Sequence, residues 1–156
     1  MRPLIAVGLT AGLLGLASPA AADLTAFLGA STRPASRSVR GFALGVGLIV
    51  VGFEFEYANT VEDPATRAPG LKTGMINGLI QTPTRTQLYL TAGGGIFRER
   101  LGTDTETSVG TNVGGGVKIG LAGPLRLRVD YRVFSLRGQP KMRTPQRLYG
   151  GLNLSF

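Results

Sequence analysis

Apolar and polar residues alternate with a period of two through most of this chain after residue 22, in segments of about ten residues. The clearest segment runs from Leu125 to Phe134. One set of positions holds Leu125, Leu127, Val129, Tyr131 and Val133, and the other holds Arg126, Arg128, Asp130, Arg132 and Phe134. Because successive side chains of a β-strand point to opposite faces, the pattern predicts a strand with one apolar and one charged face. About ten residues is also the length of a tilted strand that crosses a bilayer.

Several further segments of this kind predict an all-β fold. The eight candidate strands span residues 23–32, 39–48, 50–58, 71–81, 86–98, 109–121, 124–137 and 147–156. Alternation alone leaves open which residues face inward in the segments at 71–81 and 86–98. No apolar run after residue 22 is long enough to predict a transmembrane helix.

The connections between these segments alternate in length. Those after the second, fourth and sixth segments are short, whereas the other four are longer and polar, at Arg33–Ser38, Asn59–Gly70, Glu99–Ser108 and Gly138–Gln146. Short turns at one rim and long loops at the other are typical of outer-membrane barrels. The sequence therefore predicts one barrel domain over residues 23–156, with no linker and no second domain.

The first 22 residues have the organisation of a secretory signal peptide. Arg2 forms a short basic region, Leu4 to Leu16 is apolar, and residues 18–22 supply small side chains at the expected cleavage site. We therefore predict a signal peptide over residues 1–22 that is cleaved after Ala22. The uncharged run at 3–22 is also about long enough to span a bilayer, so a retained anchor is the alternative.

The last predicted strand carries the most specific pattern. Its alternating positions hold Leu148, Gly150, Leu152, Leu154 and Phe156 against Tyr149, Gly151, Asn153 and Ser155. This resembles the closing strand of outer-membrane β-barrel proteins, which the barrel assembly machinery recognises by a terminal aromatic residue. With the signal peptide and the eight segments, the chain resembles the OmpA-like and OmpX-like eight-stranded barrel families. The resemblance implies an eight-stranded antiparallel up-and-down transmembrane β-barrel in the bacterial outer membrane, with Leu152, Leu154 and Phe156 as its assembly signal.

The composition excludes several kinds of chemistry. The 156 residues include no Cys and no His, so disulfides, thiolate metal sites and the commonest general base are all missing. Lipid-A-modifying enzymes and proteases built on similar barrels rely on a histidine, so their mechanisms cannot be carried over. The glycine clusters at 45–47 and 93–95 lack the βαβ unit that a nucleotide site needs. We therefore expect no enzymatic activity, no cofactor and no metal.

Charges of both signs lie on one face of the predicted strands. If the apolar face contacts lipid, the charged face lines the lumen, where an unpaired charge costs several kcal/mol. We therefore predict a connected lumen charge network of Glu54, Glu56, Lys118, Arg126, Arg128, Asp130 and Arg132. Small inward residues are expected to leave room for the Arg side chains, namely Gly45, Gly47, Gly114 and Gly116. Glu54 and Glu56 share a strand face, as glycosidase-type chemistry requires of two carboxylates, but a crowded lumen gives a substrate no access.

A net charge of +8 indicates an anionic partner. Basic residues concentrate in or beside the first and last long loops, which become neighbours when the first and last strands pair. These residues are Arg33, Arg37, Arg40, Arg137, Lys141, Arg143 and Arg147. We predict that they form a patch for lipopolysaccharide phosphates or another surface polyanion, which Arg can bind in bidentate fashion. Ordinary solvation of charged loops is the alternative, and the few aromatic residues among them argue against nucleic acid.

These observations predict a non-enzymatic barrel with a structural or surface-interaction role, in contact with outer-membrane lipids and with an oligomeric state that the sequence does not define. A narrow channel for ions or small solutes is the first alternative. A soluble periplasmic barrel that holds an apolar ligand, as lipocalins do, is the second. This second alternative requires an apolar lumen, with Phe53, Phe55 and Leu127 pointing inward.

Overall fold

A computed structural model describes residues 21–156, which form a closed barrel of eight strands. The strands are β1 (Ala21–Ser31), β2 (Arg37–Gly47), β3 (Val51–Thr60), β4 (Gly70–Gln81), β5 (Thr86–Leu101), β6 (Asp104–Ala122), β7 (Leu125–Leu136) and β8 (Gln146–Ser155). Each strand pairs antiparallel with its neighbours in sequence, and β1 pairs with β8. The predicted eight-stranded antiparallel up-and-down barrel is confirmed. Within residues 21–156, no helix has the length and apolarity to cross a membrane.

The first and last strands meet at the short-turn rim. The N–H of Ala22 donates to the carbonyl of Phe156 over 2.8 Å, and the N–H of Phe156 donates to the carbonyl of Ala22 over 2.9 Å. Closure of this kind satisfies backbone groups that an open sheet would leave unpaired in hydrocarbon. Apart from Ala21 and Ala22, which begin β1, the predicted signal peptide at 1–22 lies outside the described residues.

Apolar side chains cover the outside of the barrel and polar side chains fill its lumen. In β7, Val129 and Tyr131 are exposed, whereas Arg128, Asp130 and Arg132 are buried. The strands β4 and β5 follow the same rule, although the alternation of their sequences did not show which residues face inward. Their exposed residues include Ile76, Ile80, Leu88, Leu90 and Ile96, and their buried residues include Thr73, Met75, Asn77, Tyr89 and Phe97. The mixed inward face of these two strands explains why alternation did not settle their orientation.

This sidedness is the opposite of the lipocalin-like alternative. Phe53, Phe55 and Leu127 are 63 %, 43 % and 37 % exposed on the exterior. Apolar surface exposed to water costs about 25 cal/mol per Å², whereas in a bilayer it contacts hydrocarbon at no such cost. The exterior therefore agrees with the predicted outer-membrane location.

The lumen is filled by side chains in layers. Charged residues of β3 and β7 occupy its middle. Two apolar clusters lie toward the long-loop rim, one of Leu71, Met75, Phe97, Phe134 and Leu136 and one of Phe27, Val39, Ala58 and Tyr149. The expected inward glycines make room between the strands: a Cβ at Gly114 would collide with the carbonyl of Tyr131, and a Cβ at Gly116 with that of Val129.

The third long connection differs most from the sequence prediction. Residues 99–108 were expected as a loop, but most of them extend β5 and β6 into a hairpin that turns at Gly102, where φ is 62°. Thr105 and Thr107 are β-branched and suit a strand, and outside a membrane neither face of a strand has to be apolar. The polar sequence therefore indicates where the lipid-facing surface ends rather than where the strands end.

Candidate functional site

Five charged side chains of β3 and β7 meet in the middle of the lumen and form what we term the central cluster. Its members are Glu54, Glu56, Arg128, Asp130 and Arg132. The most exposed of them, Glu54, is only 4 % exposed. Members on one strand lie two residues apart and so share its inward face. Closure of the barrel brings the inward faces of β3 and β7 within reach of each other.

Each Arg of the central cluster contacts more than one carboxylate. Arg132 lies 2.9 Å from Glu54 Oε1, 3.0 Å from Glu56 Oε2 and 3.0 Å from Asp130 Oδ1, measured from Nη2, Nη1 and Nε. Arg128 contacts both carboxylate oxygens of Glu54 and donates from Nη2 to Asp130 Oδ2 at 3.0 Å. Such dense pairing offsets the desolvation of buried charges, which otherwise costs several kcal/mol per ion.

Two buried tyrosines add hydrogen bonds to the central cluster. Tyr89 donates to Asp130 and accepts from Nε of Arg128 at 2.7 Å. Tyr149 donates to Glu56 Oε2 at 2.8 Å. The guanidinium carbon of Arg128 also lies 5.0 Å from the Tyr89 ring centroid, a cation–π distance. Sequence reasoning missed both tyrosines, although the position of Tyr149 on the polar face of the last strand was an available signal.

Arg147 belongs to the lumen and not to the loop patch in which it was predicted. It is fully buried, donates from Nη1 to Thr73 Oγ1 at 2.9 Å, and lies 3.9 Å from Glu56 Oε1. Its guanidinium carbon is 4.5 Å from the ring centroid of Phe134. The physical reason is alternation, because Arg147 lies two residues before the inward Tyr149. Arg147 supplies a third cation beside the two Arg and three acids of the central cluster, so the buried charges balance.

Arg37 is the second correction to the predicted patch. It is buried and donates from Nη1 to the carbonyl of Pro69, in the β3–β4 loop. Alternation again gives the reason, because Arg37 shares the inward face of β2 with the buried Val39. At this position the side chain ties two extracellular segments together and is not available to an outside ligand.

Lys118 and Arg126 face the lumen but are separate from the central cluster. Lys118 Nζ pairs with Asp23 Oδ2 at 2.5 Å, and Arg126 Nη1 donates to Gln87 Oε1 at 2.6 Å. Arg126 lies nearer the short-turn rim than Arg128 does, whereas Lys118 of β6 lies directly opposite Arg128 in the strand register. The seven residues predicted as one network therefore form three separate groups: the central cluster, Lys118 with Asp23, and Arg126 with Gln87. The sequence did not indicate the partner of Lys118, because Asp23 begins the first predicted strand and its inward or outward orientation was not predicted.

The remaining predicted patch residues are exposed. They are Arg33, Arg40, Arg137, Lys141 and Arg143. Lys141 Nζ lies 3.0 Å from Asp104 Oδ2, with the two side chains 44 % and 73 % exposed. An exposed pair of this kind contributes at most about 1 kcal/mol. Four of the seven predicted residues therefore remain as exposed cations without such a partner among residues 21–156.

Carboxylates accept hydrogen bonds that order two of the long loops. Glu99 is buried and accepts a hydrogen bond from the N–H of Lys141 at 2.7 Å, which connects the β7–β8 loop to β5. In the β3–β4 loop, Asp63 accepts from the Thr66 hydroxyl at 2.8 Å and from the Ala65 N–H at 3.1 Å. These bonds, the Thr66 hydroxyl above all, hold the pKa of Asp63 below its usual value. Asp63 therefore stays ionised and keeps accepting the hydrogen bonds that stabilise the turn of the β3–β4 loop.

The three residues of the predicted assembly signal lie on the exterior of the closing strand. Leu152 and Leu154 are exposed, and Phe156 is 74 % exposed. Leu152 pairs in register with Ala26 of β1 and with Leu127 of β7. The three side chains are therefore accessible to another protein or to lipid once the barrel has closed.

Comparisons with solved structures show the same fold. The N-terminal β-barrel domain of Pseudomonas aeruginosa OprF superposes with a TM-score of 0.67 at 14 % identity, covering 87 % of this chain and 97 % of that one. Neisserial surface protein A gives 0.66 at 18 % identity, with 88 % and 96 % covered. The outer membrane enzyme PagL gives 0.53 at 13 % identity, with 85 % and 98 % covered. No protein-family model and no curated protein matches the chain.

These likenesses establish the fold and nothing finer, because all three identities are low. The chain has the architecture of the eight-stranded outer-membrane β-barrels, as its resemblance to the OmpA-like and OmpX-like families implied. The same architecture carries an enzyme in PagL, so the fold by itself is compatible with more than one kind of function.

Proposed function

We propose that this protein is a closed, non-enzymatic barrel of the outer membrane that acts by surface interaction, with lipopolysaccharide as its partner and no conducting pathway. The observation that carries the proposal is the central cluster, which fills the lumen at mid-height with ion pairs. The rigid barrel then serves to present its extracellular rim and exterior.

A conducting pathway would have to pass the central cluster. Arg128 and Arg132 are fully buried and lie between carboxylates of opposite walls, so the passage of an ion requires the separation of these pairs. Breaking a buried pair leaves an uncompensated charge and costs about 3–5 kcal/mol. The apolar clusters toward the long-loop rim add a second obstacle. The channel alternative therefore finds no supporting contact.

The same burial argues against catalysis in the lumen. Glu54 and Glu56 are the carboxylates that share a strand face, and both are buried and bound to Arg side chains. A carboxylate that is paired with Arg and closed off from solvent lacks the access to substrate that a general base or nucleophile needs. This supports a non-enzymatic role even though PagL uses the same fold for an enzyme.

Charge placement supports the surface role. The chain carries a net charge of +8, yet the buried groups of the central cluster and Arg147 balance one another. The excess positive charge therefore lies mainly on exposed side chains. Phosphate groups of lipopolysaccharide are anions that Arg binds well. The barrel assembly machinery is the second expected partner, through Leu152, Leu154 and Phe156.

Planar-bilayer recording tests the closed lumen. The purified protein, shown to be folded by a boiling-dependent gel shift, is expected to give no unitary current steps. As a positive control, the double variant Arg128→Ala/Arg132→Ala removes the cations that bridge the lumen and is expected to conduct if it folds. Regular current steps from the unmodified folded protein would overturn the proposal and favour the channel.

A further inference from the structure

Basic side chains also lie on the outside of the barrel, where the predicted patch included only Arg40. The strand register places Arg40 of β2 opposite Asn59 of β3, Asn59 opposite Lys72 of β4, and Lys72 opposite Arg98 of β5. Arg100 lies two residues beyond Arg98 on the same face of β5. All four basic residues are exposed, and we term Arg40, Lys72, Arg98 and Arg100 the basic row.

The basic row has no ion-pair partner among residues 21–156, although the Glu62 side chain lines the same groove as its members. The ion pairs formed among residues 21–156 include none of its members. Its hydrogen bonds are to neutral groups, Arg98 Nε to Thr107 Oγ1 at 3.4 Å and Arg100 Nε to the carbonyl of Gly102 at 3.3 Å. The nearby Glu62 instead accepts the N–H of Gly102 at 2.6 Å. Four neighbouring cations therefore repel one another and favour an external anion.

The basic row lines a groove of about 710 Å³ between the barrel wall and the β5–β6 hairpin. A second groove of about 870 Å³ runs along the exterior of β8, β1, β2 and β3. Arg40, Asn59 and Lys72 line both grooves, so the two are continuous. The second groove is walled mainly by apolar side chains, among them Leu28, Phe42, Tyr57 and Leu152, and the outward Gly150 deepens it.

We propose that this continuous groove binds one molecule of lipopolysaccharide, with its lipid A phosphates on the basic row and its acyl chains along the apolar groove. The inference rests on the proposed function for the identity of the partner, but it places the site on the barrel wall and not in the loops. The groove is cationic at its end near the long loops and apolar along the barrel wall, which matches a lipid with an anionic headgroup. A soluble polyanion would use only the upper part. Arg40, at the junction, can extend its charged end toward the headgroups while its stem covers apolar surface.

Native mass spectrometry of the folded protein in detergent, titrated with bis-phosphorylated lipid A, tests the assignment. The row variant Arg40→Gln/Lys72→Gln/Arg98→Gln is expected to bind at least about tenfold more weakly, equivalent to about 1.4 kcal/mol. The matched control Arg33→Gln/Arg137→Gln/Arg143→Gln removes the same charge from the loops and is expected to bind within about twofold of the unmodified protein. A boiling-dependent gel shift confirms that each variant is folded.

Three further measurements test the ligand chemistry. Gly150→Trp fills the apolar groove, where a Cβ would meet only the Arg128 carbonyl at 3.8 Å, and is expected to weaken lipid A binding. Lipid A without phosphates is expected to bind weakly, with the same affinity for the row variant as for the unmodified protein. Tripolyphosphate that binds as tightly as lipid A, with the same dependence on the row, would overturn the lipid assignment.

The outcomes separate this inference from the proposed function. Binding that is lost in the loop control but kept in the row variant would overturn the wall site and leave lipopolysaccharide as the partner. Equal binding by all three proteins would also overturn the site. Failure of the unmodified folded protein to bind lipid A would contradict both the site and the proposed partner.

Discussion

Tyr149 of β8 stacks on Phe27 of β1, with ring centroids 4.1 Å apart and ring planes 20° from parallel. The pair lies inside the barrel across the seam where the first and last strands meet. The Tyr149 hydroxyl at the same time donates to Glu56 of β3. One side chain therefore links closure of the sheet to the pairing of charges in the lumen.

The two contacts of Tyr149 can be separated by substitution. Tyr149→Phe keeps the ring stack but removes a donor from a buried carboxylate, which is expected to lower the free energy of unfolding by about 1–3 kcal/mol. Urea unfolding in lipid vesicles, followed by circular dichroism, measures the change. Tyr131→Phe is the matched control, because Tyr131 lies on the exterior, and its effect should be under about 0.5 kcal/mol. Equal stabilities of the two variants would contradict the structural role of the hydroxyl.

The Arg128 side chain is expected to matter far more than Arg126, although both lie on the inward face of β7. Arg128→Met leaves Glu54 and Asp130 short of a buried cation and should cost about 3–5 kcal/mol in unfolding free energy. Arg126→Met removes one contact to the neutral Gln87 at a half-buried position and should cost about 1 kcal/mol.

A double variant distinguishes charge imbalance from lost packing at Arg128. If imbalance dominates, Arg128→Met/Glu54→Gln should recover part of the stability that Arg128→Met loses, measured in the same urea titration. A double variant less stable than the sum of the two single changes would show that the Arg128 stem and its contacts with Tyr89, not the charge, carry the effect.

The fold could be predicted from sequence because a membrane barrel makes alternation obligatory. Leu127 and Val129 must face lipid if Arg128 faces the lumen, so one segment determines both surfaces. The composition of the central cluster follows from the same rule. Which groups pair does not follow, because contacts such as Arg132 with Glu56 depend on how far each strand is shifted against the next. The pairing of Lys118 with Asp23, 95 positions apart in the chain, is of this kind.

Residues near the strand ends were the hardest to place. Arg37 and Arg147 were assigned to loops because they lie beside polar segments, yet each shares an inward face with a residue two positions away, Val39 and Tyr149. The basic row was missed for a different reason. Its members lie on three separate strands, β2, β4 and β5, and become neighbours only through the register of β2 to β5.

Glycines on β6 and β4 differ in what they tolerate. A Cβ at Gly116 would collide with the Val129 carbonyl and the Tyr89 ring, so Gly116→Val should prevent formation of the folded, boiling-sensitive band or cost more than about 3 kcal/mol. A Cβ at Gly74 would meet only Ile96 at 3.9 Å, and Gly74→Ala should fold as the unmodified protein does. Efficient folding of Gly116→Val would show that β6 and β7 are further apart than described.

Phe156 is expected to affect delivery to the membrane more than stability. Its side chain is 74 % exposed and its backbone, not its ring, pairs with Ala22, so Phe156→Ser should change the free energy of unfolding in detergent by less than about 0.5 kcal/mol. In cells, the same change should reduce the amount of folded protein in the outer membrane, because the assembly machinery is expected to bind the exposed aromatic end. Fractionation with a boiling-dependent gel shift measures that amount, and Leu148→Ser, on the same exterior face outside the terminal signal, is the control. If Phe156→Ser lowers the free energy of unfolding in detergent by enough to account for the reduced amount in cells, Phe156 stabilises the barrel and is not an assembly signal.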